Sequence, residues 1–171
     1  MPPTNPSPIV RYYWDACVFI DYLEKTPGRI DDIAAVLEEV LRNSSSVIYT
    51  SALSIVEVSF LSTEKSSRII EPAILTKIDR MWNAQPFQIV EFNPIIARLA
   101  RDLIRSGYSN GYKLKPYDAT HLATAQWLTN NRISIAEFHT YDTYDEKSPA
   151  IERYTRLKIC QPKPFQPSLP L

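Results

Sequence analysis

The sequence predicts an α/β sandwich built on a mainly parallel sheet. Short apolar runs rich in β-branched and aromatic residues alternate along the chain with amphipathic segments of about a dozen residues, the signature of strands joined by crossover helices. A length of 171 residues suits one domain, and it is enough to bury about two-thirds of the surface of the unfolded chain. At 44% hydrophobic and 22% charged the composition argues against disorder.

The elements follow in order. Residues 9–22 open as a buried strand and carry Val18, Phe19 and Ile20. The segment DDIAAVLEEVLR places Ile33, Val36, Leu37, Val40 and Leu41 at helical spacing, with Asp31 or Asp32 in an acidic first turn that suits the helix dipole. Residues 47–50 read as a strand. Thr50 or Ser51 then caps a helix through about residue 65, with Leu53, Val56, Phe60 and Leu61 on one side. A helix over 72–83 starts at Pro72 and buries Ile74, Leu75, Ile78 and Met81. The strand 87–92 ends at Asn93–Pro94, a cap followed by proline at the first helical position. The helix 95–106 groups Ile96, Leu99, Ala100 and Leu103, and the polar stretch SGYSNGYKLKP forms a loop. A helix over 116–129, a strand over 133–139 and a last strand over 157–160 complete the domain. The domain covers 9–160, between an N-terminal tail at 1–8 and a proline-rich C-terminal tail at 161–171.

Composition excludes several function classes. Nineteen basic residues balance 19 acidic ones, so the chain does not hold nucleic acid by overall basicity. The two cysteines, Cys17 and Cys160, argue against a disulfide-stapled scaffold or a zinc site of cysteine pairs. With only 3 glycines the chain has no glycine-rich phosphate loop. No run of about 18 apolar residues offers a membrane span, and the first residues lack the pattern of a signal peptide. A cytoplasmic, non-membrane protein is expected.

Ligands of parallel α/β sheets bind beyond the carboxyl ends of the strands, and four acids fall at such places. Asp15 follows Arg11–Tyr12–Tyr13–Trp14 inside an apolar run. A lone buried carboxylate there needs a cation or several donors, unless it caps the following turn. Glu57 lies between Val56 and Val58, although Ser54-x-x-Glu57 also has the form of a capping box. Asp118 stands in the first turn of an alanine-rich helix whose Ala119, Ala123 and Ala125 suit close packing on the sheet. Asp142 ends His139–Thr140–Tyr141–Asp142, just beyond a strand. Converging, these carboxylates would raise one another's pKa values unless cations intervene. Hard oxygen ligands with an incompletely filled shell suit Mg²⁺ or Mn²⁺, which can activate water and neutralise the leaving oxygen of a phosphodiester.

The segments WDACVFID, TSALSIVEV, YDATHLATA and HTYD, in this order, resemble the PIN-domain family of metal-dependent nucleases, over roughly residues 9–160. The resemblance implies a three-layer α/β/α sandwich, a carboxylate-bound Mg²⁺ or Mn²⁺, and hydrolysis of RNA by metal-activated water. It carries over Asp15, Glu57, Asp118 and Asp142 as the catalytic and metal-binding quartet. Thr140 matches a hydroxyl position beside the last acid, and Asp145 is an alternate fourth ligand; the spacing from Thr140 favours Asp142. Ala16 and Cys17 stand where the family often has Ser, Thr or Asn, which implies one polar contact fewer beside the first acid. Many members are VapC-type toxins held by an antitoxin. The chain is about 40 residues longer than these generally are, and an antitoxin partner is expected if it is one of them.

Lys113, Lys115, Tyr117 and Tyr141 are candidate RNA contacts, through phosphates and base stacking. Tyr12, Tyr13, Trp14 and Tyr144 also stand beside the acids, with core packing as their bland alternative. Lys25 and Arg29 follow the first strand and offer further charge. His121 and His139 are read as hydrogen-bonded packing residues, since metal-activated water needs neither. The function expected is therefore an endoribonuclease. A DNA-directed nuclease with the same site and a catalytically silent interaction module are the alternatives. Ile74, Leu75, Ile78 and Trp82 could serve either a homodimer interface or the core.

Overall fold

The computed structural model describes residues 9–42, 46–83, 86–142 and 148–164. Its elements are β1 (Arg11–Trp14), α1 (Ala16–Glu24), α2 (Ile30–Arg42), β2 (Val47–Ser51), α3 (Leu53–Glu57), α4 (Ser62–Ser67), α5 (Pro72–Trp82), β3 (Phe87–Val90), α6 (Pro94–Ser109), α7 (Pro116–Asn130), β4 (Glu137–His139), α8 (Ser148–Thr155) and β5 (Ile159–Cys160). The strands form one sheet in the order β3-β2-β1-β4-β5, and every neighbouring pair is parallel. The expected three-layer α/β/α sandwich is the observed architecture.

Strand alternation sends successive side chains to opposite faces, and β1 uses this fully. Tyr12 and Trp14 enter the layer of α1, α2 and α5, with Val18, Phe19, Ile33, Val36 and Ile78. Tyr13 enters the opposite layer, with Ile96, Leu103, Leu122 and Phe138 from α6, α7 and β4. All three rings are fully buried. Tyr12, Tyr13 and Trp14 are therefore core residues, and none offers a face to a nucleic-acid base. In α7 every residue from 119 to 125 is buried, so the helix is enclosed on all sides and its alanines let it sit close to its neighbours.

Several boundaries differ from the sequence reading. The first strand stops at Trp14, and Val18, Phe19 and Ile20 belong to α1, whose N-terminus is capped by Asp15. The helix expected through residue 65 breaks after Glu57 and restarts at Ser62. Val56 and Phe60 are consequently exposed, at 65% and 45%, while Val58 and Leu61 enter the core. On α5, Ile78 and Met81 are buried but Leu75 is 55% exposed. Trp82 packs on Phe19 with ring centroids 4.8 Å apart, which makes it a core residue. Asn93 caps α6 as expected, its side chain accepting from the amides of Ile95 and Ile96 at 2.9 and 3.0 Å. α6 runs to Ser109, into the expected loop, and β4 is shorter than its apolar run. α8 is an addition, since its pattern is weak. No helix among the described residues is long and apolar enough to cross a membrane.

Candidate active site

All five strands point the same way, so their carboxyl ends line one rim of the sheet. From β1 the chain order runs to β2 and β3 on one side and to β4 and β5 on the other. The gap between β1 and β4 is the topological switch point where parallel sheets open a crevice. Asp15 stands there, directly after β1, with its amide donating to the carbonyl of His139 at 3.1 Å.

The Asp15 carboxylate is 4% exposed as a residue and is held by three groups. Oδ1 accepts from the Ala16 amide at 2.7 Å, which is the helix cap. Oδ2 accepts from the Thr140 hydroxyl at 2.9 Å. His121 Nε2 lies 3.5 Å from Oδ1. Asp15 is thus the helix cap, as one of its two readings expected, and its carboxylate also faces His121 and Thr140 at the rim.

Two groups of metal-ligating atoms share Asp15, each with all its atoms mutually within 4.8 Å: Asp15, Glu57 and His121, and Asp15, Cys17 and Asp142. Glu57 is the last residue of α3 rather than an early one. Ser54 is engaged with the Thr50 hydroxyl at 2.7 Å, so no capping box forms between Ser54 and Glu57. Asp118 lies in the first turn of α7, half-buried. Burial pushes its carboxyl up first, then the charges of Asp15 and Asp142, with Lys115 opposing. Asp142 sits on the exposed rim, where partial desolvation and then Asp15 raise its carboxyl against Lys115, His121 and Arg29. Glu57 from α3 and Asp142 from the loop after β4 thus each lie beside Asp15, and Asp118 of α7 senses the charges of Asp15 and Asp142. Asp145 lies outside the described residues, as does Tyr144.

The remaining candidates divide. Thr140 donates to Asp15 and accepts from the Asp142 amide at 3.0 Å, tying the first acid to the last. The Cys17 thiol fills the place of the missing polar contact, 3.3 Å from the Thr140 hydroxyl and 3.3 Å from the Tyr141 amide. Burial raises that thiol's pKa strongly, so it is a neutral packing group. Lys113, Lys115 and Tyr117 are exposed near Asp118. Tyr141 is a correction: its ring is buried and covered by the Arg29 guanidinium at 4.4 Å, so the ring presents no free face for stacking.

His121 is the residue that sequence reasoning undervalued. It is 1% exposed, with Nε2 2.6 Å from Glu57 Oε2 and Nδ1 3.0 Å from the Tyr13 hydroxyl. Burial disfavours its charged form, but Asp15 and Glu57 outweigh burial and its pKa is raised. Its position three residues after Asp118 was the available signal, because residues i and i+3 share a helix face. His139 is the packing residue expected, stacked on Tyr12 with centroids 4.8 Å apart.

Fold and site together define a three-layer α/β protein with an acidic cluster at the switch point of a parallel sheet. The PIN domain family model matches residues 12–143. The chain belongs to the PIN domain family. Solved structures share the fold at low identity. The VapBC2 complex of Rickettsia felis bound to a DNA fragment from its promoter superposes with a TM-score of 0.62 at 16% identity, over 89% of this chain and 98% of that one. VapBC-1 of nontypeable Haemophilus influenzae gives 0.60 at 15% identity, over 89% and 98%. VapC20 of Mycobacterium tuberculosis, a toxin that cleaves the sarcin–ricin loop, gives 0.53 at 12% identity, over 78% and 91%. No curated protein matches the chain in the sequence search.

Proposed function

We propose that this chain is a Mg²⁺- or Mn²⁺-dependent endoribonuclease and the toxin of a toxin–antitoxin pair, with Asp15, Glu57, Asp118 and Asp142 as its metal-binding and catalytic acids. The observation that carries the reading is electrostatic. Burial and then the charge of Asp15 raise the carboxyls of both Asp118 and Asp142, and ligand atoms of Glu57 and of Asp142 each lie within 4.8 Å of Asp15, so the rim gathers negative charge with little water to screen it. Hard oxygen donors under mutual repulsion fit a small divalent cation. A cation bound there supplies a nucleophilic water and neutralises charge at the leaving oxygen.

The chain's own residues do the rest. Thr140 and the Ala16 amide fix the orientation of Asp15, so the cluster is preorganised before substrate arrives. Lys115 opposes the upward shift of both Asp118 and Asp142, which supports a role for it, with the exposed Lys113, in meeting a phosphate. Tyr117, 56% exposed in the first turn of α7, offers a ring to an unpaired base. Arg29 is held by Asp21 at 2.7 Å and lies over Tyr141, which directs its charge toward the same rim.

An antitoxin partner is supported by the likeness to VapBC complexes. It is also supported by the exposed Ile55, Val56, Phe60, Ile69, Ile70 and Leu75, all within residues 55–75. A homodimer would use the same kind of surface, and light scattering of the purified chain distinguishes the two. The deciding experiment is cleavage of defined single-stranded RNAs with Mn²⁺, beside DNA of the same sequence. The reading requires RNA cleavage that stops with EDTA and with Asp15→Asn or Asp118→Asn. Cleavage by folded Asp118→Asn at the wild-type rate would overturn the assignment, and preferential cleavage of DNA would replace the substrate class.

A further inference from the structure

The chain has two histidines, and both aim Nε2 at a glutamate beside a second metal-ligating residue. His139 Nε2 is 2.9 Å from Glu137 Oε2, and Cys160 completes a group within 4.8 Å. His121 Nε2 is 2.6 Å from Glu57 Oε2, and Asp15 completes the other. What separates them is the partner on the opposite ring nitrogen.

Nδ1 of His139 faces the indole Nε1 of Trp14 at 3.1 Å. An indole N–H only donates, so Nδ1 must accept and the ring proton is fixed on Nε2. That N–H points at Glu137, whose other oxygen takes Lys158 at 2.5 Å. His139 has no lone pair left for a cation, and its cluster is a closed hydrogen-bond network.

Nδ1 of His121 faces the Tyr13 hydroxyl at 3.0 Å. A hydroxyl both donates and accepts. When Tyr13 accepts from Nδ1–H, its own proton can pass to Thr124, which also hydrogen-bonds Tyr13 and whose hydroxyl proton already goes to the Thr120 carbonyl at 2.7 Å. His121 can therefore carry its proton on Nδ1 and turn a free Nε2 lone pair toward Asp15 and Glu57, where a cation would take the place of the proton that Nε2 otherwise shares with Glu57. Outer partners of this kind set the tautomer of ligating histidines.

We infer that His121 is a nitrogen ligand to the divalent cation, with Asp15 and Glu57, and that it biases the site toward Mn²⁺ over Mg²⁺. The inference rests on the reading that a divalent cation occupies this site. Imidazole suits the later first-row metals, whereas Mg²⁺ favours an all-oxygen shell.

Electron spin echo spectroscopy of Mn²⁺ bound to the untagged protein tests it, because a coordinated imidazole nitrogen modulates the echo. The expected result is nitrogen modulation in the wild type and in His139→Gln, lost in His121→Gln. Calorimetry on the same proteins should show His121→Gln weakening Mn²⁺ binding about tenfold while changing Mg²⁺ binding much less. If His121→Gln does not fold, His139→Gln decides, since one histidine then remains. The wild type alone already separates nitrogen from all-oxygen coordination. Bound Mn²⁺ without nitrogen modulation, or modulation lost in His139→Gln instead, overturns the inference and leaves the cation reading intact. A wild type that binds no Mn²⁺ at millimolar concentration overturns both.

Discussion

Thr140 Oγ1 donates to Asp15 Oδ2 across 2.9 Å, joining the loop after β4 to the end of β1, 125 residues earlier in the chain. The same hydroxyl accepts from the Asp142 amide, so one side chain orients two acids. Thr140→Val keeps the shape and removes both bonds together with the contact to the Cys17 thiol. Hydrogen bonds to a buried carboxylate contribute about 1–3 kcal/mol, so thermal unfolding of Thr140→Val should show a loss of that order, and Thr140→Ser should restore most of it. Equal stability of the valine variant would mean that Asp15 finds its donors elsewhere.

The crowded acids should make the protein respond to cations even without substrate. A ligand that binds only the native state at ten times its Kd raises stability by about 1.4 kcal/mol. Mn²⁺ is therefore expected to raise the melting temperature by a few degrees, reversibly with EDTA. Asp118→Asn should shrink that shift while leaving the metal-free protein as stable as wild type or more so, because it removes a carboxylate that the fold disfavours.

Acid should also act through Glu137 of β4. Hydrogen bonding from His139, then from Lys158, lowers this carboxyl from 4.5 to about 2. Burial lowers the His139 pKa, which makes protonation of the fold unfavourable in the same direction. Cys160, pushed up to about 12, stays neutral, and Glu39 of α2 engages the Tyr12 hydroxyl at 2.9 Å. A depressed carboxyl contributes stability above its unfolded pKa and loses it as pH falls through the folded one. Glu137→Gln should thus be less stable than wild type by about 1–2 kcal/mol at pH 7, and the gap should close between pH 4.5 and 2. Asp118 and Asp142, raised rather than lowered, run the other way, so the comparison with the glutamine variant isolates Glu137. A gap that stayed constant through this range would disprove the assignment.

Gly107 marks a close approach in α6. A Cβ there would meet the Tyr112 ring at 2.9 Å and the Tyr112 carbonyl at 3.0 Å. Alanine ordinarily improves a helix by up to about 1 kcal/mol over glycine, but overpacking costs about 1–3 kcal/mol. Gly107→Ala should therefore destabilise, by about 1 kcal/mol in urea unfolding.

Local signals were readable in the sequence where local bonds make the structure. Asn93–Pro94 marked the start of α6 because the cap bonds reach only to residues 95 and 96. The order of strands and helices, and the four acids, followed from apolar period and position. The break between α3 and α4 was invisible: Val56, Phe60 and Leu61 keep helical spacing, yet the core takes Val58 with Leu61 and leaves Val56 and Phe60 out, Val58 and Leu61 packing in one cluster with α1 and α5. His121 was visible on the Asp118 face of α7. Its meeting with Glu57, 64 residues earlier, depends on how α7 lies under β2, which no spacing along the chain encodes. Tyr141 misled for a similar reason, since the cation that covers it, Arg29, comes from the turn between α1 and α2.

The site joins residues far apart in the chain: Asp15 emerges during synthesis 125 residues before Thr140, with Asp142 two residues further on. Contacts of such long sequence separation form late. β1 cannot be sandwiched until α6, α7 and β4 exist to receive Tyr13, so a nascent chain has its first acid but no centre. The acidic cluster therefore comes together only after the segment that carries Thr140 and Asp142 has been made. A product truncated before Thr140 would hold Asp15, Glu57 and Asp118 without the hydroxyl that orients Asp15.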